Sequence, residues 1–139
     1  MKKVLIVDDQ QCVRQLVSEE LSSEGYSVAT VSDAKTARES VRLFRPDLVV
    51  LDLYLDGSEG FQLFEHLKRR HPELSIIIFS AYDSYRDDPR LSQADGYVIK
   101  SIRLDEMKQK IVDVLNEETV ERSAEAEPLR QELCMARRC

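Results

Sequence analysis

The aspartate pair Asp8-Asp9 directly follows the apolar run Val4–Val7, and Asp52 follows Leu48–Leu51. Ser80 follows Ile76–Phe79, and Lys100 follows Tyr97–Ile99. If these runs are strands of one parallel sheet, three carboxylates, a hydroxyl and an ammonium share the edge where open α/β sheets build their binding crevices. A further run, Val28–Val31, contributes no chemistry to that edge. Three neighbouring carboxylates repel one another, and a divalent cation is the simplest way to hold them together. Oxygen-only ligands select a hard ion, and few protein ligands completed by water select Mg²⁺ over Ca²⁺. A carboxylate beside Mg²⁺ can attack a phosphoryl group and become an aspartyl phosphate. Three equatorial phosphoryl oxygens then need stabilising. The cation, the Ser80 hydroxyl and the Lys100 ammonium can take one each.

The elements that must position these groups are legible in the hydrophobic pattern. The five runs are short and mostly β-branched, as in strands buried on both faces. Between them the period becomes helical. Val13, Leu16, Val17 and Leu21 share a face, as do Ala34, Ala37, Val41 and Phe44. Leu63, Phe64 and Leu67 form a third stripe, and Leu104, Met107, Ile111 and Leu115 another. Asp9 and Asp33 are candidate N-caps, and Pro46 and Pro72 follow completed helices. The β-α alternation, five times over, predicts an α/β doubly wound, five-stranded parallel sheet of order 2-1-3-4-5 with helices on both faces. The crossover from Asp83 to Ala94 fits poorly. It carries Pro89 and the charged run Arg86-Asp87-Asp88, with only Tyr85 and Leu91 as large anchors, which predicts a short or irregular helix.

The 139 residues suffice for one domain, expected over 1–116. Residues 117–139 read as a charged C-terminal extension or linker, partly helical, broken by Pro128. Leu129 and Leu133 are placed to dock on a neighbour. A 42% hydrophobic composition builds a core without metal or disulfide staples. Net charge of −6 with interspersed signs argues against direct nucleic-acid binding. No run approaches the roughly 18 apolar residues of a membrane span, and the run after Met1-Lys2-Lys3 is too short for a signal-peptide core. Cys12, Cys134 and Cys139 have neither zinc spacing nor an even count. A reduced, cytoplasmic protein is expected, with Cys12 a small buried filler and His66 and His71 surface residues.

From Lys2 to about Leu115 the chain resembles the response-regulator receiver family of bacterial two-component systems. The resemblance is carried by VLIVDDQ (Val4–Gln10), PDLVVLDLYLDGSEG (Pro46–Gly60), IIIFSA (Ile76–Ala81) and GYVIKS (Gly96–Ser101), in this order and spacing. It implies a flavodoxin-like fold. It makes Asp52 the phosphoacceptor, Ser80 the switch hydroxyl, Lys100 the phosphate-binding cation and Tyr97 the switch aromatic. It also implies that Asp9 and Asp52 ligate Mg²⁺ directly, Asp8 through water, with the Tyr54 carbonyl a further ligand. The implied donor is a sensor histidine kinase or histidine phosphotransfer protein, acting on a protein that switches contacts with a downstream protein target and is not itself an enzyme. In the family, the side chains two after the phosphoacceptor and two after the switch hydroxyl border the path of hydrolytic water. Here both are tyrosines, Tyr54 and Tyr82, which are expected to cover the phosphoryl group.

Two positions depart from the family. Asp56 replaces a proline four residues after the phosphoacceptor, and Ser101 replaces a proline after the lysine. The Lys100–Ser101 bond is expected to be trans, since cis before a non-proline costs about 3 kcal/mol. Both the reshaped loop and the weak fourth crossover lie near the family's usual output face. The output surface is therefore expected on the last helix and tail, Leu104 to Leu133, facing a partner or a second copy in a homodimer. Two other classes compete. Aspartyl-nucleophile phosphatases and mutases carry a second acid two residues after the nucleophile, where this chain has Tyr54. A binding module without phosphorylation is disfavoured because every phosphorylation residue is present. The chain also reads as a receiver fragment of a longer multidomain regulator.

Overall fold

A computed structural model describes residues 1–55, 59–101 and 104–124. Five parallel strands, β1 (Lys3–Val7), β2 (Ser27–Val31), β3 (Leu48–Leu51), β4 (Ser75–Ser80) and β5 (Gly96–Ile99), form one sheet in the order β2-β1-β3-β4-β5. Among the described residues four α-helices accompany them: α1 (Gln11–Ser23), α2 (Ala34–Phe44), α3 (Glu59–Arg70) and α4 (Asp105–Ala124). This is the expected flavodoxin-like arrangement.

Because strand side chains alternate faces, each strand divides its residues between two cores. Leu5, Val7, Val49, Leu51, Ile76 and Ile78 pack with α2 and α3, through Val41, Leu63, Phe64 and Leu67. Val4, Ile6, Leu48, Val50, Ile77 and Phe79 pack with α1 and α4, through Val17, Leu21, Met107 and Ile111. Burying each such side chain contributes roughly 1.5–3 kcal/mol, so the two layers together can carry a polar cluster at one sheet edge.

Asp33 caps α2 as expected, its carboxylate accepting from the Thr36 amide at 2.8 Å and the Thr36 hydroxyl at 3.1 Å. Arg45 ends that helix in the left-handed region (φ 53°), just before Pro46. Asp9 is not a cap. Helix α1 begins one residue later, with Gln10 at the capping position and no side-chain cap. Asp8 instead accepts the Gln10 amide at 2.9 Å, which leaves the Asp9 carboxylate at the acid cluster. Cys12 is exposed rather than buried, on the outer side of the first turn of α1 beside the exposed Gln11.

The fourth crossover holds no α-helix, only the 3-10 turn Pro89–Leu91. Proline starts the turn, and Asp88 closes it locally by accepting the Arg90 amide at 2.9 Å and pairing with its guanidinium at 2.8 Å. Leu91, Tyr85 and Ala94 fasten the segment to the core. The apolar stripe of α4 is also spoken for: Leu104, Met107, Ile111, Val114 and Leu115 are buried against the sheet, so this stretch faces the core and not a partner. Leu129, Leu133 and Asp56 lie outside the described residues.

Candidate functional site

The parallel register brings the strand ends together. Val7 pairs with Leu51, Leu51 with Ile78, and Ser80 with Ile99. The residues just beyond are Asp8, Asp52 and Lys100, and Ser80 is itself the last residue of β4. Backbone bonds continue the ladder past the strands: the Asp52 amide donates to Val7 at 2.9 Å, the Asp8 amide to Val31 at 3.1 Å, and the Lys100 amide to Ser80 at 2.7 Å. Gly60 lets the first turn of α3 lie directly against the backbone just after β3, since a Cβ there would lie 2.2 Å from the Leu53 carbonyl oxygen.

Asp8, Asp52 and Ser80 are buried, and Asp9 is exposed at the rim. One carboxylate oxygen from each of Asp8, Asp9 and Asp52 lies within 4.8 Å of the others. Lys100 Nζ sits 2.8 Å from Asp8 Oδ2 and 3.1 Å from Asp52 Oδ2, serving as the countercharge. Asp52 Oδ1 accepts the Tyr54 amide at 3.1 Å, and Ser80 Oγ accepts the Tyr82 amide at 3.2 Å. Arg14 donates to the Asp8 carbonyl at 2.8 Å. Burial pushes the Asp52 carboxyl above its ordinary pKa, against the Tyr54 amide and Lys100. Burial works to lower the Lys100 ammonium, but pairing with Asp8 and the charges of Asp52 and Asp8 outweigh it and leave it raised.

The residues present fit a hard cation. Asp8 Oδ2 is close to Lys100 yet makes no aligned hydrogen bond, and it is the one buried side-chain polar atom among the described residues left without one. Three convergent carboxylates balanced by one ammonium leave excess negative charge at the sheet edge, which suits an oxygen-seeking divalent ion.

The structure brings Asp8, Asp9, Asp52, Ser80 and Lys100 together at this edge, whereas His66 and His71, expected on the surface, are half-buried. The Lys100–Ser101 bond is trans. Tyr97 is buried in the core with its hydroxyl donated to the Tyr82 carbonyl. The rings of Tyr54 and Tyr82, rooted on opposite sides of the site, meet edge to face at 5.3 Å. Sequence reasoning missed Tyr85, whose phenol lies 2.6 Å from that of Tyr54. Its only sequence signal was an aromatic in a polar crossover.

Comparison with known proteins agrees with this geometry. Residues 4–112 match the model of the response regulator receiver domain. The chain is similar to the nitrogen assimilation regulatory protein NtrX of Azorhizobium caulinodans, 40% identical over 81 residues that cover 57% of this chain and 18% of that protein. It is similar to the two-component response regulator PhoP of Pseudomonas aeruginosa, 30% identical over 91% of this chain and 58% of PhoP. The chain thus spans less than two thirds of the length of these relatives. Among solved structures, the response regulator TrrA of Thermotoga maritima in complex with Mg²⁺ and BeF superposes with a TM-score of 0.78 at 35% identity, over 82% of this chain and 99% of TrrA. TrrA in complex with the histidine kinase ThkA gives a TM-score of 0.77 at 36% identity, over 83% and 99%.

Proposed function

The chain belongs to the response regulator receiver domain family of two-component systems, and from that premise we propose that it accepts a phosphoryl group on Asp52 in a Mg²⁺-dependent reaction. The observation that carries this reading is the convergence of Asp8, Asp9, Asp52 and Lys100 on one sheet edge, three carboxylates against one ammonium. Asp8, Asp9 and Asp52, with the Tyr54 carbonyl, would hold the cation. Mg²⁺, when bound, supplies positive charge to neutralise these carboxylates and one phosphoryl oxygen.

The chain's own residues do the rest. An Asp52 carboxylate oxygen attacks phosphorus, and the bond from phosphorus to the donor breaks. Tyr54 fixes the carboxylate through its amide. Lys100, already 3.1 Å from Asp52, shifts its charge onto an incoming phosphoryl oxygen. The Ser80 hydroxyl, held by the Tyr82 amide, donates a hydrogen bond to another. Moving Ser80 also moves the loop carrying Tyr82, whose carbonyl receives the Tyr97 hydroxyl, so Ser80 and Tyr97 form the switch.

The crystal of TrrA with ThkA supports a histidine kinase as donor, with a histidine phosphotransfer protein serving the same chemistry. The protein then acts through contacts with a downstream target or a second copy, in the cytoplasm, and turns over no generic substrate. No helix among the described residues is long and apolar enough to cross a membrane. A second reading, a receiver portion of a longer multidomain regulator, is favoured by the greater length of the relatives.

The test is phosphoryl incorporation from acetyl phosphate across a Mg²⁺ titration. Asp9→Asn is expected to raise the Mg²⁺ requirement about tenfold, while Ser80→Ala leaves that requirement unchanged and slows transfer. Equal shifts would contradict the division of roles. For lifetime, Tyr54→Asn with Tyr82→Glu is expected to hydrolyse about tenfold faster than wild type, equivalent to about 1.4 kcal/mol of barrier. An unchanged half-life would contradict shielding by the two rings.

A further inference from the structure

We propose that Tyr85 is a positioning residue, whose hydroxyl holds Tyr54 against Tyr82 as a lid on the phosphoryl site and so prolongs the phosphorylated state. The proposal rests on Asp52 being the phosphoacceptor. The geometry is a braced row of rings. Tyr54 and Tyr82 follow Asp52 and Ser80 by two residues each, and their amides bind those two side chains. Their rings therefore start from opposite sides of the site, and they meet at 5.3 Å with a 61° interplanar angle. Left unbraced, both rings would be free to turn to solvent, being 39% and 54% exposed.

The Tyr54 ring and the Tyr82 backbone are each held by another tyrosine. The Tyr82 backbone is held by the Tyr97 hydroxyl. Tyr54 is held by Tyr85, with the two hydroxyls 2.6 Å apart and the ring centroids 6.0 Å apart. Tyr85 is fixed in turn by Phe61 on α3, edge to face at 5.4 Å, and Phe61 is covered by the Arg90 guanidinium at 3.8 Å. This network also accounts for the fourth crossover, whose aromatic anchor serves the site and not a helix.

The reaction restrained is hydrolysis. The oxygen of water bonds to phosphorus, the bond from phosphorus to the Asp52 oxygen breaks, and inorganic phosphate leaves with the water proton or releases it to solvent. Water must approach on the side opposite that bond, and the proposed role of the braced ring pair is to cover that approach and exclude it.

The experiment is a double-mutant cycle on phosphoryl half-life, using Tyr54→Phe, Tyr85→Phe and both together. All three keep the rings and remove the same hydrogen bond. Each single variant is expected to hydrolyse about threefold faster than wild type, and the double variant no faster than either. In parallel, NMR cross-relaxation between the Tyr54 and Tyr82 rings, which meet at 5.3 Å, is expected to weaken in Tyr85→Phe. An unchanged half-life in Tyr85→Phe, or additive effects in the double variant, would overturn the proposal. Incorporation is measured in the same samples. Its absence in wild type would overturn the phosphoacceptor reading and the lid together, whereas normal incorporation with unchanged half-lives would overturn the lid alone.

Discussion

Asp52→Asn is expected to accept no phosphoryl group at all. Asparagine matches the shape of aspartate, and its carbonyl oxygen can still take the Tyr54 amide that Asp52 Oδ1 accepts at 3.1 Å. The fold around it, with Val7 and Leu51 paired beneath, has no reason to change. What disappears is the nucleophile, because a neutral amide oxygen does not displace a leaving group from phosphorus. The neighbouring acids are poor substitutes. Asp8 is tied to Gln10 and Lys100, and Asp9 lies out at the exposed rim. Radiolabel from acetyl phosphate should therefore fall to background. Labelling of the variant at another aspartate would remove Asp52 from its proposed role.

Lys100→Ala carries the second large effect, this time on stability. Its ammonium lies between two buried carboxylates, at 2.8 and 3.1 Å, with only 16% of the side chain exposed. Without it, Asp8 and Asp52 face one another with no countercharge. Removing one partner of a buried pair costs about 3–5 kcal/mol, because the remaining charge is stranded. In chelating buffer, chemical denaturation is expected to show a loss of about 3 kcal/mol. Added Mg²⁺ should recover a large part of it, since a cation bound by the same acids replaces the missing charge. Phosphoryl transfer should also slow by about a hundredfold, the scale for losing one preorganised stabilising group. A loss of the same size with and without Mg²⁺ would mean that the acids do not bind the ion.

What the sequence disclosed and what it withheld divide along physical lines. Asp8, Asp52, Ser80 and Lys100 were placeable on one edge because parallel pairing is regular and each follows or ends a buried run. Asp33 was recognisable as a cap because the cap is local, three residues from its partner. Asp9 was misplaced as a cap because either acid of the pair could have started the helix, and only the fold sends the Asp8 carboxylate to the Gln10 amide. Periodicity gave the apolar stripe of α4 but not what covers it, and the sheet itself covers Leu104 through Leu115. The Tyr54–Tyr85 bond joins residues 31 apart through two loops, and no repeat or spacing rule encodes such a contact. Tyr97 was identified as a site residue, but its inward position depends on where the Tyr82 carbonyl lands.

The most direct measurement is to locate the phosphoryl group on the wild-type protein. The protein is incubated with acetyl phosphate in Mg²⁺ or in chelator, reduced with borohydride to trap acyl phosphates, and mapped by peptide mass spectrometry. The account predicts a single trapped site at residue 52, present in Mg²⁺ and absent in chelator. Trapping at residue 8 or 9, or equal trapping without the cation, would contradict it.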